Sequence, residues 1–103
     1  MKIQDSGEVL TISHIKELAA ANSDTFRDEV RAALPSRVKA VEIDLSDTDF
    51  VDSCGLGALI SVYKFVNSRN GPVPVRLVNP TASIQQIFEL TRLHRIFEIV
   101  KSE

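Results

Sequence analysis

Ser53 stands where this chain can carry chemistry. It follows Asp52, precedes Cys54-Gly55-Leu56-Gly57, and has Asp49-Phe50-Val51 upstream. A serine at the start of a helix has two uses. Its oxygen can cap backbone N–H groups, or it can carry a phosphate that those groups and the positive end of the helix dipole stabilise. A phosphoester brings roughly −1.5 to −2 charges near neutral pH. Ser53 is therefore a candidate phosphorylation site whose modification would turn a neutral hydroxyl into a concentrated negative charge, with Asp49 and Asp52 repelling it. Cys54 offers a second chemistry, that of a nucleophile or redox sensor at a helix N-terminus. No histidine lies near it in sequence, and the expectation is a small residue tucked against the sheet, as free cysteines commonly are. With no general base beside Ser53 or Cys54, a small enzyme is disfavoured.

Other chemistries lack their residues. Gly55-Leu56-Gly57 has no following Gly-Lys-Ser/Thr and no third glycine, so neither a Walker loop nor a dinucleotide fingerprint is present and no cofactor is expected. His14 and His94 are far apart, without a spaced carboxylate or cysteine set, so they read as surface or edge residues and no metal site is expected. Glu42 and Asp44 alternate with apolar neighbours and read as the polar face of a strand, not an acid/base pair.

Positioning Ser53 requires a strand before it and a helix after it. Val41, Ile43 and Leu45 alternate with Glu42 and Asp44, which predicts a strand over 38–45. Leu56, Leu59, Ile60, Tyr63 and Val66 form the stripe of an amphipathic helix running to about Asn67, with Ser53 at or next to its N-cap. Tyr63 belongs to that stripe, whereas Phe65 is expected to be exposed beside Lys64. Upstream, Ile3 opens an edge strand, Gly7 a turn, and 9–13 a second strand. The alanines between His14 and Asn22 favour helix, and Asn22-Ser23-Asp24 supplies caps for a helix carrying Phe26, Val30, Ala33 and Leu34 that Pro35 stops. Asn70-Gly71-Pro72 marks a turn. A strand over 73–79, a helix opened by Pro80-Thr81-Ala82-Ser83 and bearing Ile84, Ile87, Phe88 and Thr91, and a strand over 97–100 complete the chain. Strands separated by helices predict an α/β fold: a mixed, mostly parallel sheet of four to five strands covered by helices.

Composition bounds the partners. The 103 residues make one domain, 1–103, with 44% hydrophobic and 25% charged residues and only four glycines and four prolines, which reads as ordered and globular. Twelve basic residues are scattered among fourteen acidic ones for a net charge of −2, which disfavours nucleic acid. A single cysteine excludes an intramolecular disulfide framework. No stretch approaches the ~18 apolar residues of a membrane span, and the first ten residues do not read as a secretory signal, so a cytoplasmic protein without a membrane partner is expected.

The string Asp49-Phe50-Val51-Asp52-Ser53-Cys54-Gly55-Leu56-Gly57, after a strand reading Val-Glu-Ile-Asp-Leu-Ser, closely resembles the signature of STAS domains, the family of bacterial anti-sigma factor antagonists. The usual form is Asp-Ser-Ser/Thr-Gly-Leu-Gly; Cys54 replaces the second Ser or Thr. The element order and the string from Phe88 to Phe97 extend the resemblance over nearly the whole chain. Many members carry Gly-x-Leu-Asp before the first helix, where this chain has Lys16 at the glycine position and Ala19 at the aspartate position.

The resemblance implies a non-enzymatic partner-switching module. Unphosphorylated, it would hold an anti-sigma factor that is also a serine kinase and so free the sigma factor. Phosphorylation of Ser53 would release it, and a serine phosphatase would reset it. The partner face implied is Asp49, Asp52, Ser53, Cys54 and Gly55, with Leu56 and Gly57 shaping the turn, joined by Leu18, Ala19 and Asn22. The free protein is expected to be a monomer. The alternative is a STAS scaffold in another bacterial signalling complex.

Overall fold

Two-residue alternation builds the sheet, and the computed structural model describes it for residues 1–101; the last two positions of the expected 1–103 domain lie outside the described residues. β1 (Lys2–Asp5) runs antiparallel to β2 (Val9–Ser13). Between them Gly7 holds φ 93°, and its N–H donates to Asp5 Oδ1 at 2.8 Å. A left-handed turn of this kind is open to glycine without steric cost. β3 (Glu17–Leu18) leads into α1 (Ser23–Ala33), then β4 (Ala40–Asp44) and β5 (Phe50–Val51). The long helix α2 (Ser53–Asn70), β6 (Val75–Val78), α3 (Ala82–Leu90), a 3-10 turn (Leu93–Arg95) and β7 (Glu98–Val100) follow.

The main sheet has the order β1-β2-β4-β6-β7, and β3 and β5 form a separate two-stranded ladder. β2, β4, β6 and β7 are parallel. Each crossover steps one way across the sheet, and right-handed connections then place all three helices on a single face. Leu10, Ile12, Val41, Ile43, Val75 and Leu77 point into that face and merge with Phe26, Val30, Leu59, Val62, Ile84 and Phe88 in one hydrophobic cluster. The helices therefore cover one side of the sheet. On the other side lies a polar row in register, Thr11, Glu42, Arg76 and Glu98. Arg76 reaches Glu42 and Glu98, each at 3.4 Å. Glu42 is thus a cross-strand partner, consistent with the face expected for it.

Three local expectations are corrected. The segment before Asn22 is not helical: it holds β3 and a turn, because the Asn22 carboxamide accepts from Ala19 N–H at 2.9 Å and donates to the Glu17 carbonyl at 2.7 Å, giving the backbone a non-helical partner. Phe65 is half-buried and packs against the core, with the Arg31 guanidinium 5.1 Å over its ring. Tyr63 is also only half-buried, and meets Phe97 edge-on at 5.7 Å.

α3 starts at Thr81, whose hydroxyl accepts from Ile84 N–H at 3.4 Å. Two residues after it ends, Arg92 takes φ 61° and ψ 20°. This left-handed position after a helix strongly favours glycine, and a side chain there is strained by about 1 kcal/mol. Arg92→Gly is expected to raise stability by up to about 0.5 kcal/mol, part of the relieved strain being offset by the extra freedom of the unfolded chain. A urea titration showing a lower midpoint for the variant would contradict this.

Candidate functional site

The carboxyl ends of the parallel strands carry the site. β4 ends at Asp44, the chain turns through Ser46 and Asp47, and Thr48 anchors the loop from inside: wholly buried, it donates to the Ile15 carbonyl at 2.6 Å. Asp49 N–H then donates to the Lys16 carbonyl at 3.0 Å, and the Asp49 carboxylate meets Lys16 Nζ at 2.8 Å. Both side chains are exposed, so that ion pair adds little stability. β5 next aligns with β3, Glu17 opposite Phe50 and Leu18 opposite Val51. Leu18 and Val51 face inward, and Phe50 is 51% exposed.

Asp52 joins the two segments. It is the N-cap of α2, and its Oδ1 accepts from Gly55 N–H at 3.0 Å. Oδ2 accepts from Ala20 N–H, also at 3.0 Å, across thirty-two positions of sequence. Its own N–H donates to the Leu18 carbonyl at 3.1 Å. The two N–H donors, Gly55 first and Ala20 second, favour the charged carboxylate and hold Asp52 below the usual carboxyl range.

Gly55 makes that junction possible. A Cβ built there would lie 2.6 Å from the Leu18 carbonyl carbon and 2.8 Å from Leu18 Cβ, so the first turn of α2 rests on the backbone of β3 with no space for a methyl group. Gly57 differs: nothing lies within 4 Å of its Cβ position. An exposed helical glycine with open space beside it costs the fold stability and has no internal steric reason.

Ser53 is the first residue of α2 and is exposed. Among the described residues, none exchanges a hydrogen bond with its hydroxyl, since Asp52 is the residue that caps the helix. Cys54 is exposed as well, contrary to the expectation that it packs against the sheet. At this position of the first turn the side chain points to solvent, and the neighbouring Gly55 takes the inward place. Leu56 is half-buried, packed on the core.

The residues expected to form one face therefore divide. Asp49, Asp52, Ser53, Cys54 and Gly57 present side chains or backbone outward, while Gly55 is buried. Leu18 is fully buried and Ala19 is 7% exposed, so neither side chain can reach a partner; they support the junction from below. Asn22 closes the β3–α1 turn, and the exposed neighbours on that turn are Ala20 and Ala21. Phe50 was missed as a surface residue. Its alternation with Val51 was readable, but only the pairing with β3 tells which of the two faces out. Among the described residues, no group of three or more His, Cys, Asp or Glu could hold a metal ion, and no helix is long and apolar enough to cross a membrane.

Comparison with known proteins agrees with this architecture. The family model for the STAS domain matches residues 1–103, and the chain belongs to that family. An anti-sigma F factor antagonist from Paenibacillus polymyxa is 29% identical over 96 residues, covering 92% of this chain and 80% of the relative. The crystal structure of a candidate anti-sigma factor antagonist from Thermotoga maritima superposes with a TM-score of 0.81 at 24% identity, covering 98% of this chain and 86% of the other. The anti-sigma factor antagonist SpoIIAA in its unphosphorylated form gives a TM-score of 0.78 at 15% identity, covering 99% and 87%; Bacillus SpoIIAA has also been solved in its phosphorylated form.

Two outcomes test the junction. Gly55→Ala should destabilise the protein by about 1–3 kcal/mol through overpacking against backbone, whereas Gly57→Ala should stabilise it by about 0.5–1 kcal/mol through helix propensity; thermal unfolding of both variants reads the contrast. Asp52→Asn tests the charge. A carboxyl depressed in the folded state stabilises above its ordinary value of 3.8 and loses that contribution as pH falls through the folded value. The stability gap between wild type and Asp52→Asn should accordingly be widest near neutral pH and close below about pH 4. A gap that stays constant with pH would show that the hydrogen bonds act without the charge.

Proposed function

We propose that this chain is an anti-sigma factor antagonist, a non-enzymatic binding module whose partner affinity is switched by phosphate on Ser53. The observation that carries the reading is the division of labour at the start of α2. Asp52 caps the helix and Gly55 seats it, so the exposed Ser53 hydroxyl is free of any structural duty among the described residues. A phosphate can be added there without dismantling the fold. The names of the relatives support the general role.

The switch works through charge at a preformed surface. Unmodified Ser53, Cys54, Gly57 and Phe50 offer a neutral, partly apolar patch with Asp49 and Asp52 at its border. A partner closing over that patch desolvates Ser53. Phosphate adds up to two negative charges beside two carboxylates, and a partner fitted to the hydroxyl would have to bury them without compensation. A loss of about 2.8 kcal/mol is a hundredfold in affinity, enough to convert a bound antagonist into a free one. The partner is an anti-sigma factor that carries the serine kinase activity and supplies the ATP, and a serine phosphatase restores the hydroxyl.

Two measurements check this. Peptide-mapping mass spectrometry of the protein from its native cells under growth and stress should place a phosphate on Ser53, and Ser53→Ala should abolish it while keeping partner binding. Ser53 unmodified under every condition would overturn the switch. In calorimetry with the anti-sigma factor isolated by pull-down on this protein, Phe50→Ala should weaken binding by about tenfold with little change in thermal stability, because exposed aromatics in a contact are the usual anchors. Undiminished affinity would place Phe50 outside the interface.

A further inference from the structure

The amino edge of the parallel strands carries a cleft that the phosphate switch does not use. It lies between the 34–39 loop that joins α1 to β4, the turn before β2 and the end of α2, and Glu8, Ser36, Arg37, Val38, Lys39 and Arg69 line it. Its volume is about 560 Å³. The Glu8 carbonyl accepts from Lys39 N–H at 2.7 Å and from Ala40 N–H at 3.3 Å, which ties the loop to the start of β2. Arg37, Lys39 and Arg69 bring three cations to the lining, and its carboxylate, Glu8, is paired with Lys39 at 3.4 Å. Among the described residues, no carboxylate forms an ion pair with Arg37 or Arg69. Asp5, at the neighbouring turn, stays outside the lining and accepts from Gly7 N–H at 2.8 Å. An adjoining cleft shares Arg69 and adds Arg31 and Lys64, with no carboxylate among its described residues.

Helix dipoles explain part of this charge. The carboxyl ends of α1 and α2 each carry roughly half a negative charge, and Arg69, in the last turn of α2, complements one of them. Arg37 and Lys39 lie outside any helix, so the dipoles do not account for them. Three cations against Glu8 and those two partial charges leave the cleft positive, in a chain whose net charge is −2. Backbone donors add to this. The N–H groups of Ser36, Arg37 and Val38 donate to no acceptor among the described residues. Guanidinium forks, an ammonium and a hydroxyl suit the three terminal oxygens of a phosphate better than the two of a carboxylate. A phosphate alone fills only part of such a cleft, whose size is that of pockets for small organic molecules. We propose that this cleft binds the phosphate monoester of a small organic group. The ester can reach it as a free metabolite or as the headgroup of phosphatidic acid. Arg69 lies about 24 Å along α2 from Ser53, so the ligand can be held whether the Ser53 face is occupied or released.

The test is an amide NMR titration of the full chain with glycerol 3-phosphate, beside sodium acetate at matched ionic strength. The ester should give saturable shifts at Glu8, at 36–39 and at Arg69, leave Ser53 to Gly57 in place, and bind about tenfold more tightly than acetate. Arg37→Gln and, separately, Arg69→Gln should each weaken it by about tenfold, whereas Arg92→Gln, outside the cleft, should leave it unchanged. All three replace exposed side chains, and retained spectra without ligand confirm folding. Pelleting with vesicles of three parts phosphatidylcholine to one part phosphatidic acid separates the sources. Binding of the soluble ester without pelleting supports the site with a free metabolite as ligand, and binding with Arg37-dependent pelleting supports it with the lipid headgroup. No saturable response, an equal response to acetate, or undiminished binding by both cleft variants would overturn the proposal. Pelleting without binding of the soluble ester would overturn it in favour of a membrane surface.

Discussion

The close seat of Gly55 on the backbone of Leu18 is the constraint on which the rest of the site depends. Every other feature of the junction assumes that distance. Asp52 can bridge Gly55 and Ala20 because the first turn of α2 and the β3–α1 turn are drawn together. Leu18 and Val51 are buried because the short β3–β5 ladder is clamped beneath the helix. The outward residues follow from the inward ones: when Gly55 faces β3, the helical period leaves Ser53, Cys54 and Gly57 toward solvent. The exposed surface at the start of α2 is thus specified by a packing contact one layer below it.

Much of this was legible because it is local. Capping chemistry and the apolar stripe located the start of α2 to within a residue, and alternation placed β2 without error. The losses came where local signals met distant partners. Alanines before Asn22 spoke for helix, but the Asn22 side chain closed a turn instead, and the two-residue pairing of β3 with β5 brings together positions thirty-three apart. Leu18 and Ala19 were assigned to a surface by family position, and they proved to be its foundation.

Side-chain exposure was hardest to read for residues whose chemistry points both ways. A cysteine is apolar enough to bury, yet Cys54 lies outward because its neighbour took the inward place. An aromatic next to a lysine looked exposed, yet Phe65 is roofed by an arginine from α1. Phe50 shows the converse, an aromatic left in water where the ladder offers it no cover. In each case helical or strand period supplied the two choices, and tertiary contact made the selection.

The bond between Asp52 and Ala20 has a consequence for how any enzyme could recognise Ser53. The residues that fix the serine's backbone come from both sides of α1 and β4, so a short peptide cut around Ser53 lacks Leu18 and Ala20 and cannot hold the same conformation. What surrounds the hydroxyl is a discontinuous epitope, present only when the chain has folded. If Ser53 is modified as proposed, an enzyme matched to that epitope would ignore nascent and unfolded copies, and modification would double as a report on the folded population.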